Sequence, residues 1–430
     1  MRFLTVENYY TFITPQTIFI SLQKLIFMFS NIKLKRDIYN SEEHNMLQKM
    51  CEQFIEKEIT PYHAEWEEQG QVSREVWTKA GEAGLLCLDV PSEYGGAGLD
   101  FSFCALITEV ISKSGYTGPG FFLHSDIVAP YIIDYGTETQ KHQWLPKMVS
   151  GEAITAIGMT EPGCGSDLQA LKTTAIDKGD YYEINGQKTF ITNGYMSDLA
   201  IIAARTIIDG KDHGISLFLI ESTRAGYTKG KPFKKVGMKA QDTCELFFDN
   251  VQIPKENLLG EIGKGFVYMM QKLGRERLSV ALMSCGGAEG ALENTIEYVS
   301  SRTAFKQPIA AFQNTQFKLA DLATKLQIHQ TFIDRCVELY VNGELSAEVA
   351  SMAKASCTDM HFALVDECLQ LHGGYGYMWE YYIARAYADN RVARIYAGTN
   401  EIMKLLIARG LFREMHEQQK QKKREVAISN

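Results

Sequence analysis

Apolar residues recur at every third or fourth position in the C-terminal part of the chain, a spacing typical of amphipathic helices. The positions that follow this spacing include Leu319, Leu322, Leu326 and Ile333. Pro308 is the only proline after residue 254, so long helices can run through this part without interruption. One of these helices is predicted to begin at a capping Ser346 and to end at Gly373-Gly374.

The N-terminal part has a helical pattern as well. Ser41 followed by two glutamates is a helix-capping signal, and the helix is predicted to end at Pro61. The apolar residues predicted to share one face of this helix are Met46, Met50 and Phe54. A second short helix is predicted over 73–83, closed by Gly84.

The middle of the chain changes from a helical to a strand-like period. Residues 181–184 and 187–191 flank Asn185-Gly186, a pair that predicts a hairpin with a type I′ turn. Further strand-like runs cover 199–204, 215–220 and 245–253. Helices, then a β unit, then helices again predict an α+β fold.

Composition places the chain among ordinary globular proteins. It has 430 residues, long for one hydrophobic core, with 45% apolar and 22% charged residues. The net charge of −8 argues against a nucleic-acid partner. Nine cysteines form no CxxC pair, and Cys357 with His361 lacks a second ligand pair, so no metal site is predicted. Buried thiols in a reducing compartment are the simpler interpretation.

The first 33 residues differ from the rest. Residues 9–29 are rich in Ile, Leu, Phe and Tyr, but Pro15, Gln16 and Lys24 interrupt the run. A secretory signal is disfavoured because no small-residue cleavage site follows, and a mitochondrial presequence because one Arg and Glu7 do not fit its composition. With a second possible start at Met28, a start-site artefact or a loose extension is preferred to a membrane anchor, and stable membrane insertion is not expected.

Three segments carry candidate chemistry, and each has a structural alternative. The glycine-rich stretch 159–167 offers backbone N–H groups to an anion, but a surface turn has the same composition. The stretch 190–194 can supply an aromatic platform and a hydroxyl to a ligand, or it can be an ordinary strand end followed by an Asn-Gly turn. The stretch 370–377 suits a close approach to a planar ligand, or a helix C-cap, and His372 is expected to be structural.

Taken together, these motifs resemble those of the acyl-CoA dehydrogenase family. Met-Thr-Glu-Pro-Gly-x-Gly-Ser-Asp, Ile-Thr-Asn-Gly, Gln-Leu-His-Gly-Gly-x-Gly-Tyr and Tyr-x-Gly-Thr-Asn-Glu occur in the family's order, and the resemblance runs from about Arg36 to Phe412. Residues 239–243 and 376–380 resemble the long-chain branch. The implied domains are an extension over 1–35, a helical domain over 36–153, a β domain over 154–255, a helical bundle over 256–415 and a polar, solvated tail over 416–430.

The resemblance implies FAD as cofactor. Thr160 and Thr192 would hydrogen-bond the flavin edge and Phe190 would pack on its ring, with Met159 and Ile191 beside them. Gly165 and Ser166 would approach the FAD pyrophosphate or the CoA arm. The remaining implied FAD contacts, some of them across a subunit boundary, are Arg302, Phe305, Gln313, Gln370, Leu371, His372, Gly373, Gly374, Thr399 and Glu401. A cofactor held across subunits implies an oligomer, usually a homotetramer.

The position of the catalytic base distinguishes branches of the family. Short- and medium-chain members carry a Glu where this chain has Ala397. Long-chain and isovaleryl members instead place it in an x-Glu-Arg-Leu setting on an earlier helix, which implies Glu276. From the residues alone, Glu276 would be interpreted as a solvated helix residue between two arginines.

The same resemblance implies the substrate contacts. Glu276 would remove the α-proton of an acyl-CoA and the β-hydride would pass to flavin N5, giving a trans-2-enoyl-CoA. The backbone N–H of Ala397 would bind the thioester oxygen. Gly274, Arg277, Gly398 and Ser166 would line the substrate path. Residues 118–120 resemble the long-chain branch near the pocket floor. Long-chain acyl groups are therefore the preferred substrates, and branched or cyclic acyl groups would fit the same space.

Two other functions stay open on the sequence. An acyl-CoA oxidase would pass electrons to oxygen, whereas a dehydrogenase passes them to an electron-transferring flavoprotein. The length of the protein favours the dehydrogenase, because classical oxidases carry an extra C-terminal helical domain. A non-catalytic flavin- or acyl-CoA-binding protein is the other alternative, and Glu276 argues against it. A bacterial cytoplasm is preferred to a mitochondrial matrix, since no credible presequence is present.

Overall fold

A computed structural model describes residues 32–428, except for the side chains of Glu414 and of 416–428. Most of the predicted N-terminal extension therefore lies outside the described residues. Its last residues do not stand apart from the fold, because Lys33 reaches Glu289 at 2.5 Å and the Leu34 N–H donates to Gln327.

The N-terminal domain is helical. Its helices are α1 (Glu42–Phe54), α2 (His63–Gln69), α3 (Glu75–Glu82), α4 (Phe101–Ser114), α5 (Ala129–Tyr135) and α6 (Glu138–Val149). The Ser41 side chain accepts a hydrogen bond from the His44 N–H, so the predicted cap of α1 is confirmed. The predicted apolar face is wrong in part, because Met46 and Met50 are exposed while Leu47 and Cys51 are buried beside Phe54.

The middle domain is a mixed sheet. Its strands are β1 (Thr155–Gly158), β2 (Thr174–Asp177), β3 (Tyr181–Ile191), β4 (Leu199–Ile208), β5 (Lys211–Glu221), β6 (Tyr227–Lys229), β7 (Cys244–Pro254) and β8 (Leu258–Leu259). They are ordered β6-β7-β3-β2-β4-β5-β8, with β1 parallel to β4. Strand β4 is buried on both faces: Leu199 and Ile201 join the helical core, and Ala200 and Ile202 join a core within the sheet.

The hairpin predicted at Asn185-Gly186 is wrong. Strand β3 runs straight through this pair, and the register against β7 shifts between Ile184 and Gly186. Gly186 has φ +147°, and the Asn185 side chain accepts a hydrogen bond from the Asn250 N–H at 2.8 Å. The Asn-Gly pair therefore forms an irregularity within a strand, a place where glycine is also favoured.

The C-terminal domain is a bundle of long helices, as the proline distribution predicted. A short pair of strands, β9 (Thr303–Ala304) and β10 (Gln307–Pro308), separates the first two. The helices are α7 (Gly265–Ser301), α8 (Gln313–Val341), α9 (Ala347–His372), α10 (Tyr382–Asn390) and α11 (Asn400–Ile428). The predicted cap of α9 is confirmed, because the Ser346 side chain accepts from the Val349 N–H. Helix α11 continues through most of the predicted polar tail.

Helix α7 is central and packs against α4, α8, α9 and α10. Two of its glycines permit the approach of α4: a Cβ added to Gly286 would lie 2.4 Å from the Glu109 carbonyl oxygen, and one added to Gly290 would lie 2.0 Å from that of Lys113. Side chains at these positions would therefore push the helices apart. Within residues 32–428, no helix combines the length and apolarity needed to cross a membrane.

All nine cysteines are free and buried, as predicted. In the described part of the chain, no group of three or more His, Cys, Asp or Glu side chains is placed to hold a metal ion. The thiols therefore belong to the core, and candidate chemistry has to be sought elsewhere.

Candidate active site

Glu276 lies inside the protein on α7. Its side chain is buried, and the Tyr131 hydroxyl on α5 donates to Oε1 at 3.0 Å. Burial raises the pKa of Glu276 to about 7, while the Tyr131 hydrogen bond and the charges of Arg277 and Lys272 act in the opposite direction. A carboxyl group with this pKa exchanges a proton near neutral pH, which suits a general base.

The two flanking arginines are also buried, so the interpretation of this stretch as a solvated helix surface is wrong. Arg275 forms an ion pair with Asp89 and approaches Asp126 at 3.5 Å. Arg277 turns toward α9, where its guanidinium donates to Ser351 Oγ at 3.4 Å, and its Nε has no hydrogen-bond partner among residues 32–428. The charges that suggested a surface helix are paired or buried inside the fold.

Ala397 and Gly398 form a turn in the left-handed region. Their φ angles are +53° and +87°. Lys354 of α9 is fully buried, and its ammonium donates to the Gly398 carbonyl at 2.8 Å and to Asn400 Oδ1 at 2.9 Å. These bonds hold the residues that follow Ala397, in a turn whose backbone conformation an alanine adopts only at a cost of about 1–2 kcal/mol.

A cavity opens between α4, α7, α9 and α10 and encloses about 1020 Å³, including the part open to solvent. Much of its wall is apolar, with contributions from Ile107, Ile111, Phe121, Phe122 and Met283. Ser284, two turns beyond Glu276 on α7, belongs to the wall, and so does Tyr396, directly before Ala397. The carboxyl group and the left-handed turn are therefore close in the chain to the cavity lining.

Pro119 lies in the wall of this cavity, but the glycines on either side of it do not widen it. A Cβ on Gly120 would lie 1.9 Å from Asn193 Oδ1, and a Cβ on Gly118 would lie 2.8 Å from the Ala240 Cβ. Close packing, rather than added depth, requires the small residues here. The contact also links Asn193 of the 190–194 motif to the cavity wall through its hydrogen bond to the Gly120 carbonyl.

The residues predicted to contact the flavin ring lie together on the sheet. The Thr189 N–H donates to the Thr160 carbonyl at 3.0 Å, which joins the 159–167 loop to the end of β3. Phe190 adopts φ +59° and is 68% exposed, and the hydroxyls of Thr160 and Thr192 find no hydrogen-bond partner within 32–428. Met159 is partly buried and Ile191 fully, so both support the strands. An exposed ring beside two available hydroxyls fits a planar, hydrogen-bonding group such as isoalloxazine.

The glycine-rich loop is held from within. Glu161 accepts hydrogen bonds from the Lys172 and Thr173 N–H groups and forms an ion pair of 2.7 Å with the fully buried Lys188. Gly165 and Ser166 are exposed, and a Cβ at Gly165 would meet nothing within 4 Å. The loop therefore leaves room for a ligand on its outer side.

The other predicted FAD contacts cluster where α7 ends, α8 begins and α9 ends. The Arg302 guanidinium lies 5.4 Å from the Tyr375 ring, and the Phe305 ring, 89% exposed, lies 6.1 Å from Phe312. The members that face solvent here are Arg302, Phe305, Gln313, Gln370, Gly373 and Gly374, and Leu371 is partly buried. His372 is buried, stacks on Tyr298 and bonds to the Cys368 carbonyl, as expected of a structural histidine.

Three predicted residues make few contacts. Gly274 precedes Arg275 and is half-buried, with open space where a Cβ would point. Thr399 accepts from the Ile402 N–H at the start of α11, and Glu401 is exposed there. These three are therefore free to contact a ligand, although nothing within the chain requires it.

Sequence reasoning missed Tyr131 and Lys354. Tyr131 lies 145 positions before Glu276 in the chain, and only folding brings the two together. Lys354 sits between Ala353 and Ala355 on the helix predicted to follow Ser346. A lysine at such a position is rarely fully buried without a partner, and that anomaly was the one available signal.

Comparison with known proteins agrees with this arrangement. Three family models match in order: acyl-CoA dehydrogenase N-terminal domain over 41–152, middle domain over 156–251 and C-terminal domain over 263–412. The chain is 48% identical over 371 residues to long-chain specific acyl-CoA dehydrogenase, mitochondrial, of Sus scrofa, covering 86% of this chain and 86% of that protein.

Solved structures give the same result. The crystal structure of acyl-CoA dehydrogenase from Geobacillus kaustophilus has a TM-score of 0.84 and 49% identity, covering 87% of this chain and 99% of that one. Acyl-CoA dehydrogenase complexed with FAD from Bacillus anthracis has a TM-score of 0.82 and 35% identity, covering 92% and 73%. The predicted fold class, enzyme class and FAD cofactor are thus confirmed. The chain belongs to the acyl-CoA dehydrogenase family of FAD-dependent oxidoreductases.

Proposed function

We propose that this enzyme converts an acyl-CoA to the trans-2-enoyl-CoA, with Glu276 as the base that removes the α-proton. The observation that carries the proposal is the Glu276 carboxyl group, which is buried on α7, accepts a hydrogen bond from Tyr131 and has its pKa raised by burial to about 7. No similar carboxylate is available at position 397, where the chain has alanine.

The chemistry requires this environment. A thioester α-proton is too weakly acidic for a solvated carboxylate, so the base has to be partly desolvated and the developing enolate has to be stabilised. The Ala397 N–H, in the turn held by the contacts of Lys354 with Gly398 and Asn400, would donate to the thioester oxygen. FAD, when bound, supplies the oxidant for the β-carbon.

The cofactor would be held by two groups of residues. Thr160, Thr192 and the exposed Phe190 offer hydroxyls and a ring face to the isoalloxazine. Gly165 and Ser166 would meet the pyrophosphate or the CoA arm, while Arg302, Phe305 and Gln313 would contact FAD of a neighbouring subunit. The aromatic side chains left exposed in this region, such as Phe305 and Tyr377 at 89% each, support a homotetramer in which they are covered.

The acyl group would enter the cavity between α4, α7, α9 and α10, with Arg277 and Gly398 along its path. A long-chain or branched acyl group is supported by the cavity's apolar wall and by the long-chain relative. Electrons would pass to an electron-transferring flavoprotein, as is typical of the family.

The test is a spectrum of the FAD-loaded enzyme during anaerobic addition of acyl-CoAs of increasing length. Bleaching of the flavin band is expected, strongest with long chains. Glu276→Gln should bind the same acyl-CoA without bleaching, while Glu261→Gln, an exposed position just before α7, should bleach like the parent.

Two further measurements complete the test. Rapid reoxidation by oxygen in place of electron-transferring flavoprotein would identify an oxidase. A flavin that no acyl-CoA bleaches would contradict the proposed reaction and point to a binding protein.

A further inference from the structure

The acyl cavity contains two buried polar side chains that the proposed reaction does not use. Asn390, at the end of α10, is 7% exposed, and His361, on α9, is 8% exposed. Both line the cavity. Three of their atoms have no hydrogen-bond partner among residues 32–428: Asn390 Nδ2, Asn390 Oδ1 and His361 Nε2. The other polar lining side chains of comparable burial are hydrogen-bonded, namely Thr108, Ser125, Asp126, Ser284 and Asp389.

A plain hydrocarbon chain is a poor occupant for such a wall. Filling the cavity with methylene groups would displace water and leave three polar atoms without partners, and each such atom costs about 1–3 kcal/mol. The cost is avoided only if the occupant itself carries a hydrogen-bonding group. His361 lies against Gly287, where an added Cβ would be 2.7 Å from its Cε1. Gly287 is about three turns, or ~16 Å, beyond Glu276 along α7, so this polar group lies well beyond the reacting carbons.

The charges around the cavity restrict the kind of group. Burial lowers the pKa of His361 to about 4, so the imidazole is neutral and offers one donor and one acceptor. Asp126 and Asp389 in the same wall would repel a carboxylate. The cation beside Asp126, Arg275, is already paired with Asp89 and Asp126, and Arg385, near Asp389, donates to the Trp379 and Glu380 carbonyls. An ammonium group would find these two carboxylates already engaged by Thr108, Thr117 and the Met238 N–H. A neutral oxygen is the group that remains.

We propose that the preferred acyl group carries a neutral oxygen substituent, a hydroxyl or a ketone, beyond the reacting carbons, and that Asn390 and His361 bind it. The Asn390 amide can donate to or accept from a hydroxyl, the neutral His361 Nε2 can do one or the other according to its tautomer, and a ketone can accept from either side chain. The inference rests on the proposed acyl-CoA oxidation and makes its substrate class more specific.

The experiment compares acyl-CoAs of one length with and without a single hydroxyl, moved along the distal half of the chain, on the FAD-loaded full-length enzyme. At one or more positions, kcat/KM for the hydroxyacyl-CoA should exceed that for the unsubstituted compound by about tenfold, which corresponds to ~1.4 kcal/mol. Asn390→Leu and His361→Leu should each lower this ratio severalfold. Met283→Leu, an apolar change in the same wall, should leave the ratio unchanged.

The outcomes separate the two proposals. If every acyl-CoA is oxidised but no hydroxyl position is favoured, the oxygen-binding role is wrong while the dehydrogenase stands. If a preference is present but Asn390→Leu and His361→Leu leave it intact, these two residues are not its source and the inference is overturned. If neither compound type is oxidised, the proposed function itself fails. Binding of the hydroxylated and plain acyl-CoAs to Glu276→Gln, measured by calorimetry, should show tighter binding of the hydroxylated compound, and equal affinities would argue against a contact made on binding.

Discussion

Helix α7 carries two buried glutamates, and they differ in the charge of the groups that hydrogen-bond them. Glu276 has one neutral partner, the Tyr131 hydroxyl, and burial raises its pKa to about 7. Glu289, little more than three turns later, accepts from the Lys33 and Lys113 ammonium groups at 2.5 and 2.8 Å and from Gln330. Burial would raise its pKa too, but Lys113 and Lys33 lower it far below the usual value.

The difference teaches that burial alone does not decide what a carboxyl group does. Two cations and an amide hold Glu289 as a permanent anion that joins the N-terminal segment, α4, α7 and α8. Glu276 has no such cationic or amide partner among residues 32–428, so it can take up and release a proton near neutral pH. One helix thus contains a carboxylate held by cations and the proposed base, and each can be tested against the other.

The largest expected effect is on turnover. Glu276→Gln removes the proposed base while keeping the shape, and kcat should fall by about 10²–10⁴-fold. Glu289→Gln should change kcat by less than threefold, since its partners lie away from the cavity. Flavin bleaching under single-turnover conditions measures both rates. Equal losses of kcat in the two variants would show that the different partners of Glu276 and Glu289 do not decide which of them takes part in the reaction.

Glu289 and Glu276 should also contribute to the free energy of unfolding with opposite pH dependence, and Glu289 should stabilise the fold at neutral and higher pH. Its folded-state pKa is lowered, so the stability it contributes is present above its unfolded pKa and is lost as the pH falls below that value. Glu289→Gln at pH 8 should therefore lower the free energy of unfolding by about 2 kcal/mol, because both lysines, each about a third exposed, lose their anion. Urea unfolding measures this, and an unchanged midpoint would argue against a structural role.

Glu276 should show the opposite sign. Its pKa is raised from 4.5 to about 7, so the folded state holds a proton that the unfolded chain has released, and stability falls as the pH rises through this interval. The total is on the order of 3 kcal/mol at 1.36 kcal/mol per pKa unit. Glu276→Gln cannot titrate, so its stability relative to the parent should increase from pH 5 to pH 8. A constant difference between the two proteins would mean that Glu276 titrates like a solvated residue.

Local signals in the sequence predicted what depends on neighbours in the chain. The caps at Ser41 and Ser346 are correct because a cap is a bond between residues three apart. Asn185-Gly186 misled because the same pair suits a turn and a strand irregularity, and only the partner strand β7 decides between them. The order of the motifs, rather than any one of them, led to the family.

The chemistry of Glu276 depends on distant residues and could not be read from its neighbours. The arginines on both sides suggested a solvated helix, yet their partners Asp89, Asp126 and Ser351 belong to other elements. Lys33 likewise fell in a segment set apart as an extension, although it pairs with Glu289. A charge pattern on one helix therefore does not show whether that helix meets water or other helices.

The smallest effect, and the sharpest test of the Glu276 environment, concerns Tyr131. Its hydroxyl bond stabilises the ionised carboxylate, so Tyr131→Phe should raise the pKa of Glu276 further and move the acid limb of the kcat/KM profile to higher pH. At pH 7 the rate should fall about three- to tenfold, as expected for one hydrogen bond, and at pH 9 most of it should return. Tyr135→Phe on the same helix is the matched control, because the Tyr135 hydroxyl bonds to Gln271 and not to Glu276. A rate loss that is the same at both pH values would assign Tyr131 to packing and would leave burial and the charges of Arg277 and Lys272 to set the pKa of Glu276.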